Sequence, residues 1–139
     1  MSFLVDTCIW SLAFRRDRAS TEPAVIRLRE ALAERETIYS TGLVLQELLQ
    51  GFAGPKARES IIDRFSALPV IVPSRDDHIA AAEIRDLCRR NGVQIGTIDA
   101  LLIQLCLQHD LILLTFDRDF FHAAQHCPIR IWRRDVAES

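Results

Sequence analysis

The sequence predicts an α/β fold in which a parallel sheet carries helices on both faces. Three observations predict it. Short apolar runs alternate with amphipathic segments along the chain. Every connection between runs is long enough to hold a helix, as parallel strands require. The runs at Phe3–Val5 and Leu111–Leu114 are apolar throughout, the pattern of strands covered on both faces.

Taken in order, Phe3–Val5 is the first strand and ends at Asp6. Ile9, Trp10, Ala13 and Phe14 then recur at helical spacing, and Arg15, Arg16, Asp17 and Arg18 break the pattern. A second helix opens at Pro23 after Ser20, Thr21 and Glu22, with Val25, Leu28 and Leu32 on its buried side. Thr37–Ser40 is a strand of β-favouring residues. The helix Leu43–Gln50 stops at Gly51, read as a left-handed cap. Pro55 opens the next helix, buried through Ile61, Phe65 and Leu68. Val70–Val72, between Pro69 and Pro73, reads as a further strand. Asp76 or Asp77 is expected to cap a long helix striped with Ala80, Ile84, Leu87 and Cys88, ending at Asn91-Gly92. A helix from Thr97 follows, in which Gln104 is the one polar residue between Ala100 and Leu107. Leu111–Leu114 is a buried strand, a short helix begins near Asp117, and Ile129–Trp132 alternates like an edge strand.

The 139 residues suit a single domain, 1–139, with its own core. Apolar residues make up 49% and charged residues 26%, a globular balance. No apolar run is long enough to span a bilayer and no signal-peptide pattern opens the chain, so a cytoplasmic location is expected. Cys8, Cys88, Cys106 and Cys127 form no C-x-x-C pair and read as reduced, packed thiols. The net charge of -2 excludes a general polyanion binder, so nucleic acid would need a local basic patch.

Four acids are candidates for one site: Asp6, Glu47, Asp99 and Asp117. Strands of a parallel sheet share one carboxyl edge, where ligands bind in open α/β folds. Asp6 and Asp117 follow strands at that edge, and Asp99 is in the first turn of a helix that starts there. Glu47 is one to two turns into its helix, but its side chain leans back toward the N-terminus. Four carboxylates at one place repel unless a cation joins them. A hard divalent ion, Mg²⁺ or Mn²⁺, takes oxygen ligands, activates water and offsets charge on a phosphate. Each acid also has a plain alternative. Asp6 and Asp117 suit helix caps, Asp99 suits a helix N-terminus, and Glu47 suits a solvated helix face.

From Phe3 to about Trp132 the chain resembles a PIN-domain ribonuclease of the VapC toxin type. The resemblance rests on Val5-Asp6-Thr7, on Leu45-Gln46-Glu47-Leu48 with Gly51, on Thr97-Ile98-Asp99-Ala100-Leu101-Leu102-Ile103, and on Leu113-Leu114-Thr115-Phe116-Asp117-Arg118-Asp119-Phe120. It implies a three-layer α/β/α sandwich with a central, mainly parallel sheet of about five strands. It implies a metal-dependent endoribonuclease using one or two Mg²⁺ or Mn²⁺ ions, a homodimer, and neutralisation by a cognate VapB-type antitoxin. By motif match, Asp6, Glu47, Asp99 and Asp117 carry over as catalytic metal ligands. Asp119 matches an accessory acid, Thr115 a hydroxyl that orients an acid or water, and Thr7 a small polar neighbour of the first ligand. Cys8 departs from the Ser or Asn usual in the family, and Ile103-Gln104 replaces a pair of small residues.

Arg15, Arg16 and Arg18 are candidates to grip RNA phosphates, with a solvated charge run as the alternative. Trp10 and Phe14 line either an antitoxin groove, as the family implies, or the core. The helices at Ile79–Asn91 and Ala100–Leu107 offer a dimer seam. His122 and His126 are four apart and precede Cys127, a spacing that suits packing or surface roles better than zinc. A dehalogenase-type phosphatase would need an acid where Cys8 stands, and a phospho-receiver domain a late lysine, whereas the one lysine is Lys56. A non-catalytic module that binds metal or RNA is the rival from a different class.

Overall fold

A computed structural model describes residues 1–15 and 20–134. Its sheet has four strands, all parallel, in the order β2-β1-β3-β4. The strands are β1 (Ser2–Val5), β2 (Thr37–Tyr39), β3 (Ile112–Leu114) and β4 (Arg130–Ile131). Helices α1 (Thr7–Phe14) and α2 (Pro23–Ala33) connect β1 to β2. Between β2 and β3 run α3 (Gly42–Gln50), α4 (Pro55–Ser66), α5 (Arg75–Arg90) and α6 (Thr97–His109), and α7 (Arg118–Ala123) leads to β4.

This order puts β1 and β3 side by side at the centre, registered Val5 to Leu114. Their residues Phe3, Leu4, Val5, Leu113 and Leu114 are all sealed from solvent, as the unbroken apolar runs require. From β1 the chain crosses to one side to form β2, then returns past β1 to form β3. The carboxyl ends of β1 and β3 are therefore a switch point, where open α/β sheets form their crevice.

The apolar α6 is buried through Ala100, Leu101, Leu102, Ile103, Leu105 and Cys106, packed on α5 and touching β3. Most of the expected dimer seam on α6 is thus inside the chain, and Ile79 on α5 remains exposed. Gln104 is explained by Asp77: its Nε2 donates to Asp77 Oδ1 at 3.2 Å. Trp10 is core, stacked against Phe14 at 5.9 Å and tilted onto Phe65 at 4.9 Å.

Three local expectations need correction. The stretch Val70–Val72 forms a single parallel bridge, Ser40 to Val70, rather than a fifth strand. Pro69 and Pro73 each lack an N–H to extend the ladder, and Val70 and Val72 are left exposed. The cap of α5 is Ser74, not Asp76 or Asp77. Its hydroxyl accepts from Asp77 N while the Asp77 carboxylate accepts from Ser74 N, a reciprocal capping box. Gly51 ends α3 with φ -89, so the left-handed cap is absent there; Asp110 takes that conformation instead, at the end of α6 with φ 55.

Candidate acidic site at the carboxyl edge of the sheet

The site begins with the join between the central strands. Asp6 N donates to Leu114 O at 2.9 Å, extending the ladder one residue past β1. Thr115 follows Leu114, and its hydroxyl donates to Asp6 Oδ2 at 2.8 Å. The same Oγ1 accepts from Asp117 N at 3.0 Å. One buried hydroxyl thus fixes both strand-end acids. Asp6 caps α1 through Oδ1, which accepts from Thr7 N, and Asp117 caps α7 through Oδ1, which accepts from Asp119 N. The plain capping roles hold, and they are how these carboxylates are positioned.

Thr7 Oγ1 donates to Glu47 Oε1 at 2.9 Å, which draws the α3 carboxylate to the start of α1. Cys8 Sγ donates to Asp6 Oδ2 at 3.3 Å and is 3.7 Å from Thr115 Oγ1. The thiol therefore occupies the donor position expected of a hydroxyl or amide. Burial, and then the charge of Asp6, push the Cys8 thiol up to about 12, so it stays protonated at neutral pH.

Asp99 is the third residue of α6, where the nearby Gly96 main-chain amide favours its ionised form. Burial pushes Asp99 up to about 6, and the charges of Asp6, Asp117 and Glu47 add to the shift. The other three acids are thus near enough to raise the proton affinity of Asp99. Burial also raises Asp6 above the ordinary carboxylate range, against the pull of its Thr115, Cys8 and Thr7 hydrogen bonds. Among the described residues, none of the four is paired with a basic side chain.

The donors are carboxylate oxygens, the set a hard divalent cation takes. Among the described residues, however, no three His, Cys, Asp or Glu side chains stand at ligand spacing as placed. Sharing one ion requires rotation about side-chain torsions. Asp119 is exposed, and its main-chain N–H donates to Asp117 Oδ1 at 2.9 Å. Arg15 is exposed at the end of α1, while Arg16 and Arg18 lie outside the described residues. His122 is exposed and His126 half-buried, and the Cys127 thiol donates to Ala123 O at 3.2 Å, a packing role.

Sequence reasoning passed over Phe116. It is 42% exposed between Thr115 and Asp117. The signal was a large aromatic placed directly between two polar site residues, where core packing has no place for it.

No curated protein sequence matches the chain significantly. Among solved structures it is similar to VapBC2 from Rickettsia felis bound to a promoter DNA fragment, with 22% identity over 95% of this chain and 98% of that one, and a TM-score of 0.73. It is similar to VapC20 of Mycobacterium tuberculosis, a toxin that cleaves the sarcin-ricin loop, with 20% identity, 92% and 98% coverage and a TM-score of 0.69. It is also similar to DNA-bound VapBC from Salmonella typhimurium, with 24% identity, 95% and 97% coverage and a TM-score of 0.69. At these identities the likeness is one of fold. The PIN domain family model matches residues 3–125, most of the chain, and with the strand order and strand-end acids described above this places the chain in the PIN domain family.

Proposed function

We propose that this PIN domain is a metal-dependent endoribonuclease acting as the toxin of a VapC-type toxin–antitoxin pair. The observation that carries the proposal is the meeting of Asp6, Glu47, Asp99 and Asp117 at the sheet's switch point, tied by the Thr115–Asp6 and Thr7–Glu47 hydrogen bonds and, among the described residues, paired with no basic side chain. An uncompensated cluster of this kind is costly to keep and suits a divalent cation. Support for the toxin role comes from fold neighbours that are toxin–antitoxin complexes and an RNA-cleaving toxin.

Asp6, Glu47, Asp99 and Asp117 would hold one or two Mg²⁺ or Mn²⁺ ions. Bound there, such an ion supplies an activated water and charge stabilisation for phosphodiester hydrolysis. Thr115 and Cys8 orient Asp6 and favour its ionised form against the pull of burial, and Thr7 orients Glu47. A VapB-type antitoxin is the proposed partner and the cytoplasm the proposed setting.

The test is cleavage of mixed cellular RNA by the purified protein with Mg²⁺, Mn²⁺ or EDTA. Cleavage should require metal and fall at least about a hundredfold in Asp6→Asn and Asp99→Asn, more than loss of an outer hydrogen-bond partner would cause. Expression of the wild type should arrest growth, with relief by the protein encoded beside it. Cleavage unchanged in both variants sinks the nuclease assignment. The open spacing of the acids favours one rival, a non-catalytic metal- or RNA-binding module, which would bind metal and cut nothing.

A further inference from the structure

Beside Thr115 lies a groove of about 310 Å³ whose lining includes Thr115, Phe116, Phe121, Trp132, Arg133 and Arg134. Four segments build it: the start of α2, the turn after β3, helix α7, and the segment after β4, which pairs back through Trp132 N donating to Leu113 O at 3.0 Å. Its lining thus includes Thr115, the residue whose hydroxyl holds Asp6. The Arg133 guanidinium lies over the Phe121 ring, 4.7 Å from its centroid. A second hollow of about 360 Å³ shares Trp132 and Arg134 and continues the surface.

The chemistry of this lining is distinct from that of the acid cluster. Among the described residues, three aromatic rings supply π-faces and two exposed arginines supply positive charge, against one carboxylate on the rim, Glu22. Aromatic faces with interleaved arginines bind single-stranded nucleic acid, because bases stack on the rings and phosphates meet the guanidinium groups. The acid cluster carries the opposite sign and repels a polyanion, so a substrate strand needs an anchor outside it.

We infer that the Phe116–Phe121–Trp132 groove with Arg133 and Arg134 is a single-stranded RNA subsite, which seats an unpaired base and its phosphates beside the acid cluster. The inference rests on the nuclease reading for its substrate, but its test reads binding alone. Phe116 is the base-stacking residue nearest the acids. Arg133, steadied on Phe121, and Arg134 take phosphates.

The experiment is fluorescence anisotropy with a 5′-fluorescein, mixed-sequence 12-nucleotide RNA in EDTA and in Ca²⁺, at several salt concentrations. The proteins are wild type, Phe116→Ala, Phe116→Trp and the double variant Arg133→Ala/Arg134→Ala, each checked for native circular dichroism. Phe116→Ala should raise Kd by about fivefold to a hundredfold, the range for loss of one stacked base, and Phe116→Trp should restore it. The double arginine variant should weaken binding and reduce the slope of log K against log salt by about 1.4, as expected for two phosphates on a single strand. Wild-type Kd and salt slope in Phe116→Ala and in the double variant would overturn the subsite even if Asp99→Asn abolishes cleavage. Loss of cleavage control by the acids with these binding effects intact would overturn the nuclease reading instead.

Discussion

Asp99 sets a conflict between charge and fold at a single carboxyl. Its proton is held more tightly in the folded protein, up to about 6, than in the unfolded chain. The folded state then binds more protons between about pH 4 and 6, so without metal this group lowers stability as pH rises through that window. Discounted for partial solvent screening, its ionised form costs roughly 1–2 kcal/mol at pH 7. Asp99→Asn should therefore raise Tm in EDTA at pH 7 by about 3–7 °C and remove the slope between pH 4 and 6, even as it abolishes the proposed cleavage. Differential scanning calorimetry across that range checks this, and a lower Tm for the variant at pH 7 would contradict it. Divalent metal should flatten the same slope in the wild type, because it competes with the proton. At this scale the sequence was informative about chemistry and silent about contacts. The acids were legible as strand-end and helix-start residues, whereas the Thr7–Glu47 and Thr115–Asp6 hydrogen bonds join positions far apart in the chain. Cys8 was legible as a departure, but its role as a donor to Asp6 needed the fold.

Among the elements, α5 and α6 define the most about the site's support. They pack more extensively on each other than any other pair, and α6 carries Asp99. The Ser74–Asp77 capping box starts α5, and Asp77 also accepts from Gln104 of α6. Those hydrogen bonds hold the Asp77 carboxyl below its ordinary range. Ser74→Ala should lower stability by about 1 kcal/mol in urea unfolding, the usual loss for a cap. No change in the midpoint would mean that the Asp77–Gln104 contact alone sets the start of α5. The boundaries that sequence reasoning missed have one cause. Asp76 and Asp77 are good cap residues by type, as is Ser74, and only the geometry of the turn after Pro73 chooses between them. Likewise β-branched Val70 and Val72 read as strand, but their flanking prolines limit the pairing to the single Ser40–Val70 bridge.

For the whole molecule, the parallel sheet was legible because its central strands are unbroken apolar runs and its crossovers are long. The strand order was not, since parallel strands carry no turn signal to name their neighbours. The surface near α5 has its own content. Val70 is 58% exposed, Val72 82% and Ile79 50%, and a hollow of about 460 Å³ lies among Leu43, Val70, Ile71 and His78. We propose this face as a homodimer seam, since exposed apolar side chains gathered on a surface mark an interaction site. Light scattering of the purified protein should give twice the chain mass of 15.8 kDa, and Val72→Asp with Ile79→Asp should give the chain mass itself. A wild type that runs as a single copy at micromolar concentration would refute the seam.

The hydroxyl–carboxylate clasp between Thr115 and Asp6 spans 109 positions. Translation proceeds from the amino end, so Asp6 waits while nearly all the intervening polymer is made. A nascent or prematurely terminated product that lacks the third strand cannot assemble the blade, however well its early helices form. On the proposed toxin reading, topology alone keeps half-made copies inactive, and an inhibitor would need to engage only molecules whose synthesis has passed that threonine.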